Sequence, residues 1–391
     1  MMKKIMCVLF AAIMIFSLSS CMAGNNRETE STDFRTETQT AETTESITAR
    51  TTEEENASGT ELALITVAGS MEDNPFNHGA WEGLKQYAAE HGVTAGHYQP
   101  KETTTASYLQ AIAAAVDKNA RLIVCPGSLF EDAVSQAQER YPDVKFILID
   151  GVPVKTDESG ETRTAVAANT YCIRYAEEQA GFLAGYAAVF EGYTKLGFIG
   201  GMKVPAVIRY GYGFVQGADY AAKELGIKNV SIKYNYTGSF EATLETQALA
   251  ASWYQSGTEL IFGCGGAVGS SCMAAAKAAD AKVIGVDLDQ SELSDTVLTS
   301  AMKELRIPVY DAVKAFYEGT FPGGTVQVFD VKNHSIGLTM DNSGFTKFTS
   351  EDYERICRVL QDKTVLPELV TDADSAEILP VEMVKIEEIV Q

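Results

Sequence analysis

The chain is short of cationic residues and has no cluster of them. In 391 residues, 31 lysines and arginines stand against 53 aspartates and glutamates, a formal net charge of −22. Such an acidic balance argues against a nucleic-acid partner or a bare anionic membrane surface. Histidine is scarce: His78, His91, His97 and His334 show no spacing that would set ligands around a metal. The seven cysteines contain no CxxC pair, and five of them lie beyond Cys21. Five is an odd number, and Cys125 and Cys264 close apolar runs. Cys125, Cys172, Cys264, Cys272 and Cys357 therefore read as small buried residues, not as a disulfide frame or metal site. No GxSxG elbow, HExxH or GxxxxGK[ST] motif occurs, and no histidine accompanies a nucleophile in a recognised pattern, so the sequence supports neither an enzyme nor a cofactor. "GCGGAVG", with Gly263, Gly265 and Gly269 after a strand and Asp287 further on, imitates a dinucleotide fingerprint. It lies late in the chain, and an exported protein meets little nicotinamide cofactor.

Long apolar runs are missing too. The stretch over residues 5–16 is shorter than the roughly 20 residues a membrane-spanning helix needs. It follows Lys3 and Lys4 and precedes small residues, so residues 1–20 read as a cleaved export signal. The order Leu18, Ser19, Ser20, Cys21 resembles the lipobox of bacterial lipoproteins, which implies that Cys21 carries acyl chains and becomes the first residue of the mature protein. Several acyl chains would hold it on a membrane without any transmembrane helix. From residue 21 to 60 the composition shifts to Thr, Glu, Ser and Ala, with Phe34 as the one aromatic. A segment of that kind cannot offset its ordering entropy and reads as a flexible tether.

What is present, from Glu61 onward, is about 330 residues of alternating strand and helix patterns, long for one core and suited to two lobes. "ELALITVAG" is a continuous apolar run fit for a strand buried on both faces. The segment that follows it spaces Trp81, Leu84, Tyr87 and Ala88 on one helical face before Gly92. The unit recurs: "SYLQAIAAAVDKNA" then "RLIVCPG", "EDAVSQAQERYP" then "VKFILIDG", and later "RYGYGFVQGADYAAKELG" then "VSIKYNY". Repetition of this kind predicts α/β architecture with parallel, doubly wound sheets and a ligand site at the carboxyl ends of the strands.

Six ordered blocks, "ITVAGSMEDNPFNHGAWEGL", "YPDVKFILID", "EEQAGFLAGYAA", "KLGFIGGMKVPAVIRYGYGFVQGA", "GSF" with "CGGAVG", and "VIGVDLDQ" with "VLTSAMK", resemble the basic membrane protein family. Its members are acyl-anchored substrate-binding components of ATP-binding cassette importers, best known for purine nucleosides. The resemblance spans residues 61 to about 340. It implies a type I periplasmic-binding fold whose lobes, 61–168 plus 301–330 and 169–300 plus 331–391, are joined by a three-strand hinge crossing near Ala168, Ser300 and Val331. It also implies a monomer lipid-anchored on the extracytoplasmic face of the cell membrane, a small-molecule ligand, no nucleic acid, and permease and ATPase partners. A sensor of the same fold, a binder of a different small molecule and a nucleoside hydrolase are the alternatives.

By the same resemblance Phe76 stacks on one face of a base and Tyr210, where the family commonly has Phe, covers the other; ordinary packing is the alternative for both. Asn77 would bond a base or ribose edge and Asp132 would face the base. Gly265 and Gly266 form the glycine turn that lets backbone approach the ligand. Asp287 binds ribose hydroxyls, unless it makes only an Asx turn, and Lys303 lies near the ribose, unless it serves a surface ion pair. Two departures from the family pattern stand out: Val67 replaces an acid and Asn74 a lysine; if that acid reads a base edge, Val67 removes a charged acceptor for it and base preference differs. Asp73, near them, is expected to face another way.

Overall fold

The computed structural model describes residues 59–67, 71, 74–156, 160–365, 367 and 375–389. The export signal, Cys21, the tether up to residue 58 and Asp73 lie outside the described residues.

The first apolar run forms strand β1 (Leu62–Ile65), every residue of which is buried. Helix α1 (Pro75–His91) starts where Asn74 accepts hydrogen bonds from the backbone N–H of Phe76 and Asn77 at 3.1 and 3.2 Å, with Pro75 at the first position. This is a side-chain cap on a helix whose first N–H groups have no partner of their own. It explains a polar residue at the mouth of the strand. Strands β2 (Ala95–Tyr98), β3 (Leu122–Pro126), β4 (Lys145–Ile149), β7 (Thr170–Tyr175) and β13 (Thr325–Phe329) join β1 in a six-stranded parallel sheet, ordered β13-β7-β4-β3-β1-β2. Helices α2 (Thr105–Asp117) and α3 (Glu131–Arg140) connect its strands, and a hairpin of β5 (Val154–Thr156) and β6 (Thr162–Thr164) stands apart from it.

The second sheet holds β8 (Lys195–Gly200), β9 (Val230–Tyr236), β10 (Leu260–Cys264), β11 (Lys282–Asp287), β12 (Val297–Lys303), β14 (Ile336–Leu338) and β15 (Val384–Glu388). Its order is β14-β12-β11-β10-β8-β9-β15, parallel except where β14 meets β12. Its helices are α4 (Glu177–Glu191), α5 (Pro205–Leu225), α6 (Leu244–Gln255) and α7 (Val268–Ala279), while α8 (Arg306–Tyr317) packs against α1 and α9 (Ser350–Gln361) follows β14. The expected α/β class with parallel sheets is what the chain adopts.

Strand pairing shifts two of the expected crossings. β7 pairs with β4 and β13 in the first sheet, so the passage expected near Ala168 falls beyond Tyr175. The apolar run of β7, with Thr170, Tyr171, Cys172 and Ile173 all buried, can face core on both sides and stays in the sheet. β12 continues in the second sheet to Lys303, so the return expected near Ser300 falls after that residue. The third passage, between β13 and β14, contains Val331. Close to these passages the Tyr175 hydroxyl donates to the Glu304 carbonyl at 2.6 Å.

Helices α4 and α5 lie backbone against backbone. A Cβ on Gly181 or Gly185 would collide with the carbonyl oxygen of Tyr210 or Phe214, and one on Gly213 or Gly217 with that of Glu178 or Phe182. Glycine is required at this crossing because no side chain fits between the two backbones. The contact fixes the first turns of both helices, which carry Glu177, Arg209 and Tyr210.

Candidate functional site

Strand ends of both sheets converge on one cleft of about 550 Å³, part of it open to solvent. Val67 after β1, Phe76 in α1, Gly127 and Leu129 after β3 and Asp150 after β4 line one side. Val204, Val207 and Tyr210 at the start of α5, Phe240, Gly265 and Gly266 after β10, Asp287 of β11 and Lys303 of β12 line the other. A ligand site at the carboxyl ends of parallel strands is what open α/β sheets provide.

Six of the eight residues expected to touch a ligand meet here: Phe76, Tyr210, Gly265, Gly266, Asp287 and Lys303. The two glycines have φ of 111° and 57°, and a Cβ on Gly266 would stand 2.6 Å from the Phe240 carbonyl oxygen. A side chain at either position is strained and, at Gly266, sterically blocked.

Two expectations are corrected. Asp132 does not face the cleft; it is exposed on α3, where its carboxylate accepts from Gln136 at 3.2 Å. Its neighbour Glu131 does not line the cleft either; its carboxylate accepts the Val152 N–H at 2.9 Å. Asn77 is fully buried but does not line the cleft, and its amide has no hydrogen-bond partner among the described residues. Successive helical residues differ by about 100° in direction, so with Phe76 turned to the cleft its neighbour is turned away. Asn74 takes the amide position at the rim, since its oxygen is committed to the helix cap and its nitrogen lies on the Gly266 side.

The cleft lining is part apolar and part charged. Val67, Leu129, Val204, Val207 and Phe240 belong to the apolar part. In the charged part, the buried Lys303 ammonium lies 2.6 Å from Asp150, 3.1 Å from Glu177 and 3.8 Å from Asp287. It also sits 4.9, 5.1 and 5.4 Å from the ring centroids of Phe76, Tyr175 and Tyr210, within cation–π range. Burial alone would lower its pKa; the carboxylates, Asp150 foremost, outweigh that and hold it charged. The surface ion pair considered for Lys303 is therefore replaced by a buried one.

The carboxyls divide according to their partners. Burial pushes Glu177 up, but Arg209, whose Nε lies 2.5 Å away, and Lys303 together bring it down to about 2. Burial carries Asp150 up to about 7, with Lys303 opposing and Glu177 adding. Glu178 is also raised to about 7 by burial and by its neighbour Glu177. Asp287 is raised by burial against the pull of Lys303, and the Tyr210 hydroxyl donates to it at a long 3.4 Å. Four carboxyls thus share two cations: Glu177, which faces both, is lowered, and the other three are raised.

Sequence reasoning missed Asp150, Glu177 and Arg209. Asp150 ends "FILID" as Asp287 ends "VIGVD", a parallel that is visible in the strings. Nothing in the sequence pairs Glu177 with Arg209, 32 positions away. The five cysteines beyond Cys21 are buried, and no group of three or more metal-ligating side chains occurs among the described residues.

Two sheets with a mixed apolar and charged cleft at their strand ends define a small-molecule-binding α/β class. The fold resembles an ABC transporter solute-binding protein from Aeropyrum pernix, with TM-score 0.63, 24% identity and coverage of 78% of this chain and 86% of that one. It also resembles one from Conexibacter woesei, with TM-score 0.60, 22% identity, and coverage of 79% and 99%. At these identities the likeness shows the fold alone. The chain belongs to the Bmp family, described as "ABC transporter substrate-binding protein PnrA-like", whose model matches residues 60–372. It is 30% identical over 336 residues to the "ABC transporter nucleoside-binding protein BmpA" of Lactococcus lactis, covering 78% of this chain and 90% of that protein. Basic membrane protein D of Borreliella burgdorferi is 28% identical over 312 residues, covering 78% and 86%. Both relatives are named for binding or membrane association and neither as an enzyme. Among the described residues no helix is long and apolar enough to cross a membrane.

Proposed function

We propose that this substrate-binding protein captures a nucleoside, with a purine as the preferred base, and delivers it to the permease and ATPase subunits of an importer. The observation that carries this is the mixed lining of the cleft. Two aromatic side chains, Phe76 and Tyr210, and an aliphatic wall suit the faces of a base, while Asp150, Asp287 and Lys303 suit the hydroxyls of a pentose. Base–aromatic stacking is worth about 1–3 kcal/mol per base, and a hydroxyl donates more strongly to a carboxylate than to a neutral acceptor. Of the relatives, the Lactococcus lactis protein is named for nucleoside binding, which supports the same reading.

In this reading the sheets belong to two lobes, divided after Tyr175, after Lys303 and near Val331, that close on the ligand as a hinge. The protein acts as a monomer, with no catalysis and no cofactor. Acyl chains on Cys21 hold it on the extracytoplasmic face of the membrane, and the segment up to residue 60 gives it reach.

Thermal unfolding with nucleosides, free bases, pentoses and amino acids tests the ligand class. A ligand at 100 times its dissociation constant stabilises by about 2.7 kcal/mol, a shift of about 5 °C or more. A shift with purine nucleosides supports the reading. A shift only with amino acids or another class overturns the ligand assignment.

A further inference from the structure

The two sheets deliver their strand ends to the cleft by the same local device. In the first, β3 is followed by Gly127 at φ 113° and β4 by Asp150 at φ 61°. In the second, β10 is followed by Gly265 at φ 111° and β11 closes on Asp287 at φ 66°. Left-handed backbone is uncommon for a residue with a Cβ, and finding it at an aspartate in the matching place of both sheets marks a repeated arrangement. Asp150 is 6% exposed and lines the cleft. Its Oδ2 accepts from Lys303 at 2.6 Å, whereas its Oδ1 takes no N–H or O–H from a neutral or cationic side chain, and the carboxyl's other polar neighbour is Glu177, which can only share a proton with it. Buried polar atoms are nearly always bonded, so a cleft carboxyl whose second partner is another carboxyl can take a ligand donor in its place.

We propose that Asp150 is a second ligand-binding carboxylate, the first-sheet counterpart of Asp287, which accepts a hydroxyl of the bound ligand on Oδ1 while Oδ2 stays on Lys303. This rests on the nucleoside reading and deepens it. The ligand end that enters here carries at least two hydroxyls, one for each aspartate, and no phosphate, because Asp150, Glu177 and Asp287 outnumber the two buried cations, Lys303 and Arg209.

A linked proton follows from the surroundings. Asp150 faces Lys303 of β12, Glu177 of α4, Arg209 and Tyr210 of α5 and Tyr175 of β7, and burial raises its pKa to about 7. Without ligand it is therefore protonated in part near neutral pH. A hydroxyl donated to Oδ1 favours the charged form, so binding releases that proton to the buffer.

The test is calorimetric titration of the full chain near pH 7, in two buffers of different ionisation enthalpy, with inosine, adenosine and their 2′-, 3′- and 5′-deoxy analogues. Wild type, Asp150→Asn and Asp287→Asn are compared. The expected heat depends on buffer in the wild type and not in Asp150→Asn, which binds about ten- to a hundredfold more weakly. One deoxy analogue should lose affinity for the wild type with no further loss in Asp150→Asn, and a different one should pair with Asp287→Asn. Should Asp150→Asn fail to fold, the wild type alone decides, because proton release must disappear with one deoxy analogue and persist with the others. Unchanged affinity in Asp150→Asn, or wild-type binding without proton release, overturns the proposal while leaving the nucleoside reading in place. Binding of no nucleoside at all overturns both.

Discussion

Lys303 and Asp150 form an ion pair of 2.6 Å between the last residue of a strand in one sheet and the residue after a strand in the other. The buried ammonium is at once part of the cleft wall and a link between the two sheets. Asp287, 3.8 Å away on its own sheet, competes for the same charge. Any donor that engages either aspartate redistributes this sharing, so occupation of the cleft and the attraction between the sheets are physically coupled.

Phe76→Ala should weaken purine nucleoside binding by about 1–3 kcal/mol, the worth of one base–aromatic stack. Tyr210→Phe should keep the ring and lose little, since the hydroxyl's bond to Asp287 is long at 3.4 Å. Titration of both variants with one nucleoside checks the pair, and equal losses would contradict stacking as the role of Phe76.

Val67 is 5% exposed and lines the cleft, and an acid in its place could accept an N–H from the ligand. Val67→Asp should raise affinity for inosine and guanosine, whose six-membered rings carry an N–H donor, relative to adenosine. The variant should also melt lower, because its ligand-free form buries a carboxyl without a partner. Relative affinities from competition titration measure the change. An unaltered rank order would show that this wall does not meet the base edge.

Stability should fall as pH rises from about 4 to about 7. Asp150 and Glu178 are pushed to about 7 in the fold and titrate near ordinary carboxyl values when unfolded, so the folded state holds more protons across that window. Glu177, lowered to about 2, acts oppositely: its contribution is present above the ordinary glutamate value and disappears as pH drops toward 2. The ligand-free protein should thus melt highest in the weakly acidic range, and Asp150→Asn should flatten the decline toward neutrality. A melting series from pH 3 to 8 on both proteins is the measurement.

Gly185→Ala should destabilise by about 1–3 kcal/mol or more, because the added methyl meets the Phe214 carbonyl oxygen at a backbone crossing that cannot yield as a side chain would. Ligand affinity should drop with it, since α4 and α5 carry Glu177, Arg209 and Tyr210. Gly226→Ala, at a left-handed helix end with open space around it, should cost less and leave affinity unchanged. Denaturant unfolding of the two variants compares them.

Much of the site is legible because its residues sit at strand ends, and strand ends can be read from apolar runs. Phe76, Asp287 and Lys303 were reached in that way, with the family resemblance supplying their roles. Asp132 failed because a turn of 3-10 helix at Ser128–Phe130 comes between the strand end and α3, and the phase it sets leaves Asp132 exposed. Asn77 failed for a similar reason: the cap at Asn74 sets the phase of α1, and one residue of phase turns a side chain from cleft to core.

By itself the sequence determined the alternation of strand and helix, the parallel sheets, the export signal and tether as expectations, and the location of ligand chemistry at the strand ends. These follow from local pattern, since periodicity and composition act over a few residues. Only the tertiary structure decided that Thr170–Tyr175 stays in the first sheet, that α4 and α5 touch through glycine, and that Glu177, Arg209, Asp150 and Lys303 share one buried network. Those contacts join residues up to 153 positions apart. Their strength arises from exclusion of water, which no local stretch of chain can accomplish before the sheets assemble.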